Sequence, residues 1–101
     1  MAKTNFHDLI DDGLPVLIDF YADWCGPCKA LMPVIQEVKE ELGDQVRIIK
    51  INIDKNEELA QQLNIRSIPT LIIYNKGEIQ WRHTGGESKQ TLVNKLEKYL
   101  D

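Results

Sequence analysis

Two cysteines and two histidines are all this 101-residue chain offers of the thiolate and imidazole ligands of a structural zinc site. His7 and His83 lie far apart and at no ligand spacing from the cysteines, so no four-ligand zinc set can be read and no metal is expected. Basic clusters are missing too. The formal net charge is −4, which argues against nucleic acid or an anionic membrane surface as partner. No stretch approaches the roughly 20 apolar residues of a membrane span, and residues 1–8 carry no apolar signal core. The expected compartment is therefore the reducing cytoplasm. Repeats, low-complexity tracts and linkers are absent as well. At this length, with 43% hydrophobic residues, an ordinary core can form without staples, and 1–101 is expected to be a single domain.

What is present is concentrated in Trp24-Cys25-Gly26-Pro27-Cys28. Both cysteines sit there, after the hydrophobic run Val16-Leu17-Ile18-Asp19-Phe20-Tyr21 and before the helix-like Lys29-Ala30-Leu31-Met32. A structural disulfide across so short a loop would remove little unfolded-state entropy and would be a poor staple. Haem attachment would need histidine after the second cysteine, where Lys29 stands. A Cys-X-X-Cys pair between a strand and a helix reads instead as redox chemistry. Thiol–disulfide exchange needs an attacking thiolate and a nearby second thiol that resolves the mixed disulfide. Cys25, at the start of a helix, would have its thiolate favoured by unpaired N–H groups and the helix dipole. Cys28 would lie one turn in, on the same side and more buried. Pro27 suits a first helical turn, and Gly26 lets a partner chain approach the sulfur.

The remaining pattern alternates helices and strands. Phe6, Leu9 and Ile10 share a helical face that Gly13 can end. Residues 14–21 read as a strand buried on both faces. A helix over residues 28–42 carries the stripe Leu31, Val34, Ile35, Val38 and Leu42, with Pro33 expected to kink it and Gly43 to end it. Residues 46–53 make a second buried strand. Asn56 is expected to cap a short helix over 57–63. Residues 70–74 and 79–83 form a hairpin about Asn75-Lys76-Gly77-Glu78, and Ser88 caps a last helix with Leu92, Val93, Leu96 and Leu100 on one face. Strands joined through helices are expected to be parallel, the hairpin adding an antiparallel pair, with helices on both faces of a mixed sheet. Met32 is expected in the core. Asp23 and Lys29 read as solvated charges, and Trp81 and His83 as surface or core packing.

Three separated segments carry a family resemblance: residues 19–29 (DFYADWCGPCK), 50–54 (KINID) and 65–70 (IRSIPT). In that order they resemble the thioredoxins, and the likeness spans nearly the whole chain. It implies the α/β thioredoxin fold, a central mixed four-stranded sheet or one with a vestigial fifth strand, since only Met1 to Thr4 precede the first helix. That leaves the 46–53 strand at an edge, which can pair with another chain; a monomer is expected, with a weak dimer within reach. Tyr21 stands where many members have tryptophan.

The resemblance further implies a general protein-disulfide reductase. Cys25 matches the nucleophile, Cys28 the resolving cysteine and Pro69 a cis-proline beside the disulfide. Trp24, Gly26, Ile68 and Gly85 match positions lining the substrate groove. Cys-Gly-Pro-Cys is typical of reducing members, and Pro27 is expected to tune the redox potential. No metal or organic cofactor is implied; NADPH, acting through a thioredoxin reductase, would restore the dithiol, and disulfide-containing client proteins would be the other partners.

Asp19 lies in an otherwise apolar strand, and a buried carboxylate is rare without a partner. Lys50, in the next strand, is the expected partner. The bland reading is a salt bridge that supports the fold. The functional reading, which the family favours, makes Asp19 the proton acceptor for Cys28, with a pKa raised by burial. Two rivals differ in kind: an oxidant or isomerase on the same fold, against which Gly26-Pro27 speaks, and a binding module whose cysteines are incidental.

Overall fold

A computed structural model describes residues 6–11 and 13–100. Its elements are α1 (Phe6–Ile10), β1 (Val16–Tyr21), α2 (Gly26–Leu42), a 3-10 turn (Gly43–Gln45), β2 (Arg47–Asn52), α3 (Glu57–Gln62), β3 (Thr70–Asn75), β4 (Glu78–Thr84) and α4 (Lys89–Glu97). Among the described residues the sheet has four strands in the order β2-β1-β3-β4. The expected four-stranded mixed sheet with helices on both faces is present. The fifth strand considered at Met1 to Thr4 falls outside the described residues.

Strand alternation sorts the core into two layers. Val16, Ile18 and Phe20 of β1, with Ile72 and Tyr74 of β3, pack with Ile10 of α1, Leu59 of α3 and Leu63 directly after it. Leu17, Leu71 and Ile73 face the opposite way, onto Leu31, Ile35, Val38 and Leu42 of α2 and Leu92, Val93 and Leu96 of α4. By the same alternation Asp19 belongs to the α2 face, one step along β1 from Leu17.

One expectation of direction fails, and the failure builds the site. β1 and β2 are parallel, but β3, although reached through a helix, runs antiparallel to β1. α3 has only 6 residues. Such a helix advances about 9 Å, whereas a six-residue strand covers about 20 Å. The helix alone therefore covers less than half a strand length, and the chain does not run back along the sheet. It re-enters the sheet at the end it left, and Thr70 at the start of β3 pairs with Phe20 near the end of β1. The loop before β3 thus comes to the same end of the sheet as the turn after β1.

Other differences are local. β1 starts at Val16, after Pro15, rather than at residue 14, and α2 starts at Gly26 rather than near residue 28. β2 is less buried than its isoleucines suggest: Arg47 and Lys50 are exposed, Ile48 and Ile49 partly so, because it lies at the sheet edge. Asn56 precedes α3 but its side chain makes no cap bond; its Nδ2 donates to Asn52 O at 2.9 Å instead. Ser88 caps α4 as expected, its Oγ accepting from the Thr91 N–H at 3.2 Å. The β3–β4 turn places both Lys76 and Gly77 at positive φ, 56° and 80°, the backbone of a tight hairpin.

Candidate active site

Cys25 is the N-cap of α2 and Pro27 lies in its first turn. The Cys28 N–H points at Cys25 Sγ, 3.2 Å away, so a helix-terminal donor is aimed at the sulfur, as a stabilised thiolate requires. The cysteines are joined as a disulfide with Cα atoms 5.3 Å apart. Both are buried, Cys28 slightly more than Cys25 (2% and 4% exposed).

Three short loops converge on Cys25. The first carries Trp24, which is 69% exposed and whose indole N–H donates to Asp54 Oδ2 at 2.8 Å. The second carries the cis Ile68–Pro69 bond, as the resemblance implied. Ile68 O lies 3.8 Å from Cys25 Sγ, within reach of a thiol proton in the reduced state. Neither the N–H nor the carbonyl of Ile68 enters a backbone hydrogen bond among the described residues. Thr70 Oγ1 ties this loop down by donating to Ser67 O at 2.6 Å. The third loop is Gly85-Gly86, whose Gly85 N–H donates to Pro69 O at 2.7 Å while Gly85 holds φ +105°, a conformation strained for any residue with a Cβ. Gly26 faces open space: a Cβ there would meet nothing within 4 Å.

Behind the disulfide lies a cavity of about 200 Å³ lined by Asp19, Tyr21, Ala22, Asp23, Cys28, Lys29, Met32 and Lys50. That is room for water, with polar groups to hold it. Asp19 is 1% exposed and its Oδ1 accepts no hydrogen bond from the protein. Burial pushes its pKa up to about 6, against the opposing pull of the Lys50 charge. Asp19 and Lys50 are register partners across β1 and β2, but no direct ion pair joins them, contrary to expectation. On the edge strand the ammonium group stays exposed to water, and it acts on Asp19 through space. Met32 is not in the core: it is 47% exposed at the mouth of this cavity. Asp23 and Lys29, read as solvated charges, also line it.

The structure therefore brings together Cys25, Cys28, Pro27, Gly26, Trp24, Ile68, Pro69 and Gly85 around the sulfurs, and Asp19 and Lys50 behind them. Sequence reasoning missed three supports. Asp54 anchors Trp24, and Thr70 anchors the Pro69 loop. Asn52 accepts from the Asp54 and Lys55 N–H groups at 2.8 and 3.3 Å. A polar pair inside KINID and a threonine directly after a proline were the available signals.

The thioredoxin family model matches residues 1–98. The chain belongs to the thioredoxin family. It is 43% identical over 97 residues to thioredoxin 1 of Synechococcus elongatus, covering 96% of this chain and 91% of that one. Among solved structures, a mutant thioredoxin from Halobacterium salinarum superposes with a TM-score of 0.86 at 35% identity, covering 99% of this chain and 87% of the other. The oxidised mitochondrial thioredoxin 3 of Saccharomyces cerevisiae gives 0.82 at 27% identity, covering 92% and 86%. With the Cys25–Cys28 disulfide in this fold, the protein is a thiol–disulfide oxidoreductase that reduces protein disulfides, and the disulfide is its redox centre.

Proposed function

We propose a division of labour in which Cys25 attacks, Cys28 resolves and Asp19 moves the proton. Cys25 thiolate attacks one sulfur of a client disulfide and forms a mixed disulfide, releasing the other client sulfur as a thiolate that takes up a proton. Asp19, through water in the cavity and with Lys50 setting its charge balance, accepts the Cys28 proton. Cys28 then attacks Cys25 Sγ, the second client sulfur leaves with both electrons, and the client is fully reduced while Cys25–Cys28 is oxidised. A carboxyl group with a pKa near 6 suits this exchange near neutral pH. Pro27 tunes the redox potential from the first turn of α2.

Client recognition falls to Trp24, Gly26, Ile68, cis-Pro69 and Gly85. The client lies extended, and its backbone pairs with Ile68 as an added strand. NADPH, through a thioredoxin reductase, returns the electrons. The chain works as one domain and as a monomer in the reducing cytoplasm; Arg47 and Lys50 on the β2 edge oppose strand pairing with a second copy, leaving at most a weak dimer.

The observation that carries this reading is Cys25 at the α2 N-cap facing the Pro69 loop, with Cys28 backed by the Asp19 cavity. Equilibration of the Cys25–Cys28 couple against dithiothreitol or glutathione tests it. A value below about −250 mV fits a reductant; one between about −180 and −120 mV would mean an isomerase or oxidant and overturn both function and compartment.

A further inference from the structure

β4 carries an aromatic pair that the reaction above does not use. The Trp81 and His83 rings are stacked, centroids 5.6 Å apart and planes 8° from parallel, and Lys95 of α4 reaches to 5.9 Å from the Trp81 ring centroid. Beyond the stack, His83 Nε2 lies 3.1 Å from Gly86 O and 3.6 Å from Glu87 Oε2. A carbonyl oxygen only accepts, so Nε2 must carry the proton in this contact. Two successive glycines have no side chain to hold them, and glycine gives up more conformational freedom than any other residue when fixed. The Gly85-Gly86 loop is nevertheless pinned at two points: the Gly85 N–H to Pro69 O on the client side, and Gly86 O to His83 on the other. Gly86 and Glu87 also form one wall of a groove that opens from Pro27 and runs along Ala30, Leu31 and Val34 of α2.

We infer that His83 is a positioning residue for client binding: its Nε2–H holds the Gly85-Gly86 loop against the Pro69 loop at the separation that admits an extended client segment. Trp81 orients the ring by stacking, and Glu87 draws its Nε2 edge toward the loop. His83 touches neither sulfur, so its effect passes only through the loop. The inference rests on the reading of Gly85 as a client contact.

Two substrates separate loop from chemistry: insulin, whose disulfides are presented on chain segments, and a small aromatic disulfide that needs no groove. Loss of one modest hydrogen bond in His83→Ala is expected to lower kcat/KM for insulin about fivefold, chiefly by raising KM. The small disulfide should lose far less, and the reduction potential should stay put. His83→Gln, which keeps a donor, should recover most of the insulin activity. Equal losses on both substrates, or a glutamine variant as poor as alanine, would overturn the assignment. Gly86→Val tests the reading beneath it: a Cβ at Gly86 meets nothing within 4 Å, so the fold accepts it while the loop surface is obstructed. If Gly86→Val reduces insulin normally, the loop is no client contact and the inference falls with that reading. If Gly86→Val loses insulin and His83→Ala does not, only the role of His83 is wrong.

Discussion

The two sides of the disulfide are built from different materials. Behind Cys28 the protein has placed ionisable groups: a buried carboxyl group 1% exposed, an exposed ammonium on the neighbouring strand and a cavity with room for water. In front of Cys25 it uses almost no charged chemistry, only a tryptophan, a proline, glycines and an Ile68 backbone that makes no backbone–backbone hydrogen bond among the described residues. The difference follows from the two tasks. Proton transfer needs a group whose pKa lies near the working pH, and burial is how a carboxyl group gets there. A general reductant must accept many client sequences, and backbone pairing does not read side chains.

The sharpest way to break the comparison is to leave the front intact and remove the resolving sulfur. Cys28→Ser should abolish turnover yet leave Cys25 free to attack, so the variant should accumulate a covalent mixed disulfide with insulin, visible by non-reducing electrophoresis and mass spectrometry. Cys25→Ser should capture nothing. Equal capture by both variants would mean that the roles of the two cysteines are not divided.

Asp19 gives the next largest effect, in stability and in rate with opposite signs. Its pKa is raised by burial to about 6 in the folded state, from an ordinary 3.8. The folded protein therefore holds the proton more tightly than the unfolded chain. The contribution of Asp19 to stability is greatest below pH about 4, falls as pH rises through 6 and levels off above, a loss on the order of 3 kcal/mol. Asp19→Asn should flatten this profile and be the more stable protein at pH 8, measured by urea denaturation of the oxidised form at pH 4 and pH 8. It should also slow release of reduced client by about 10²- to 10⁴-fold, the range of a lost general base. A stability difference between wild type and Asp19→Asn that does not change between pH 4 and pH 8, or release at the normal rate, would remove Asp19 from the mechanism and leave it a structural group.

How much of this can be read from the chain depends on the distance over which each feature is encoded. The Cys25–Cys28 pair is local: spacing, Pro27 and the flanking strand and helix all lie within a dozen residues. Asp19 stands out because a carboxylate in an apolar strand violates that strand's own pattern. The direction of β3 is not legible in the same way. It depends on the end of the sheet at which the connection through α3 re-enters, whereas a helix-joined strand reads by rule as parallel. Lys50 reads as a direct partner of Asp19, a contact that its exposed place on the edge strand does not provide. Met32 looks apolar enough for the core, yet one residue from Leu31 on a helix it points another way, toward the cavity mouth. Thr70 and Asp54 escape notice because their value lies in what they hold, not in what they react with.

Thr70 offers the smallest and most selective test, because it supports only the front. It is 1% exposed, and its hydroxyl donates to Ser67 O at 2.6 Å, one residue before the Ile68–Pro69 pair. Thr70→Val keeps the shape and the strand preference of the side chain but removes the donor. Ser67 is exposed, so its carbonyl can turn to water, and the cost should stay near about 1 kcal/mol rather than the larger penalty of a buried orphan. Thermal denaturation should show a small drop in Tm. If the front of the site recognises clients through a correctly held backbone, insulin reduction should fall a few-fold while the pH profile set by Asp19 behind the disulfide does not move. A shift of that profile in Thr70→Val would mean that the two sides are coupled through the Pro69 loop, and the division of labour drawn from their composition would have to be given up.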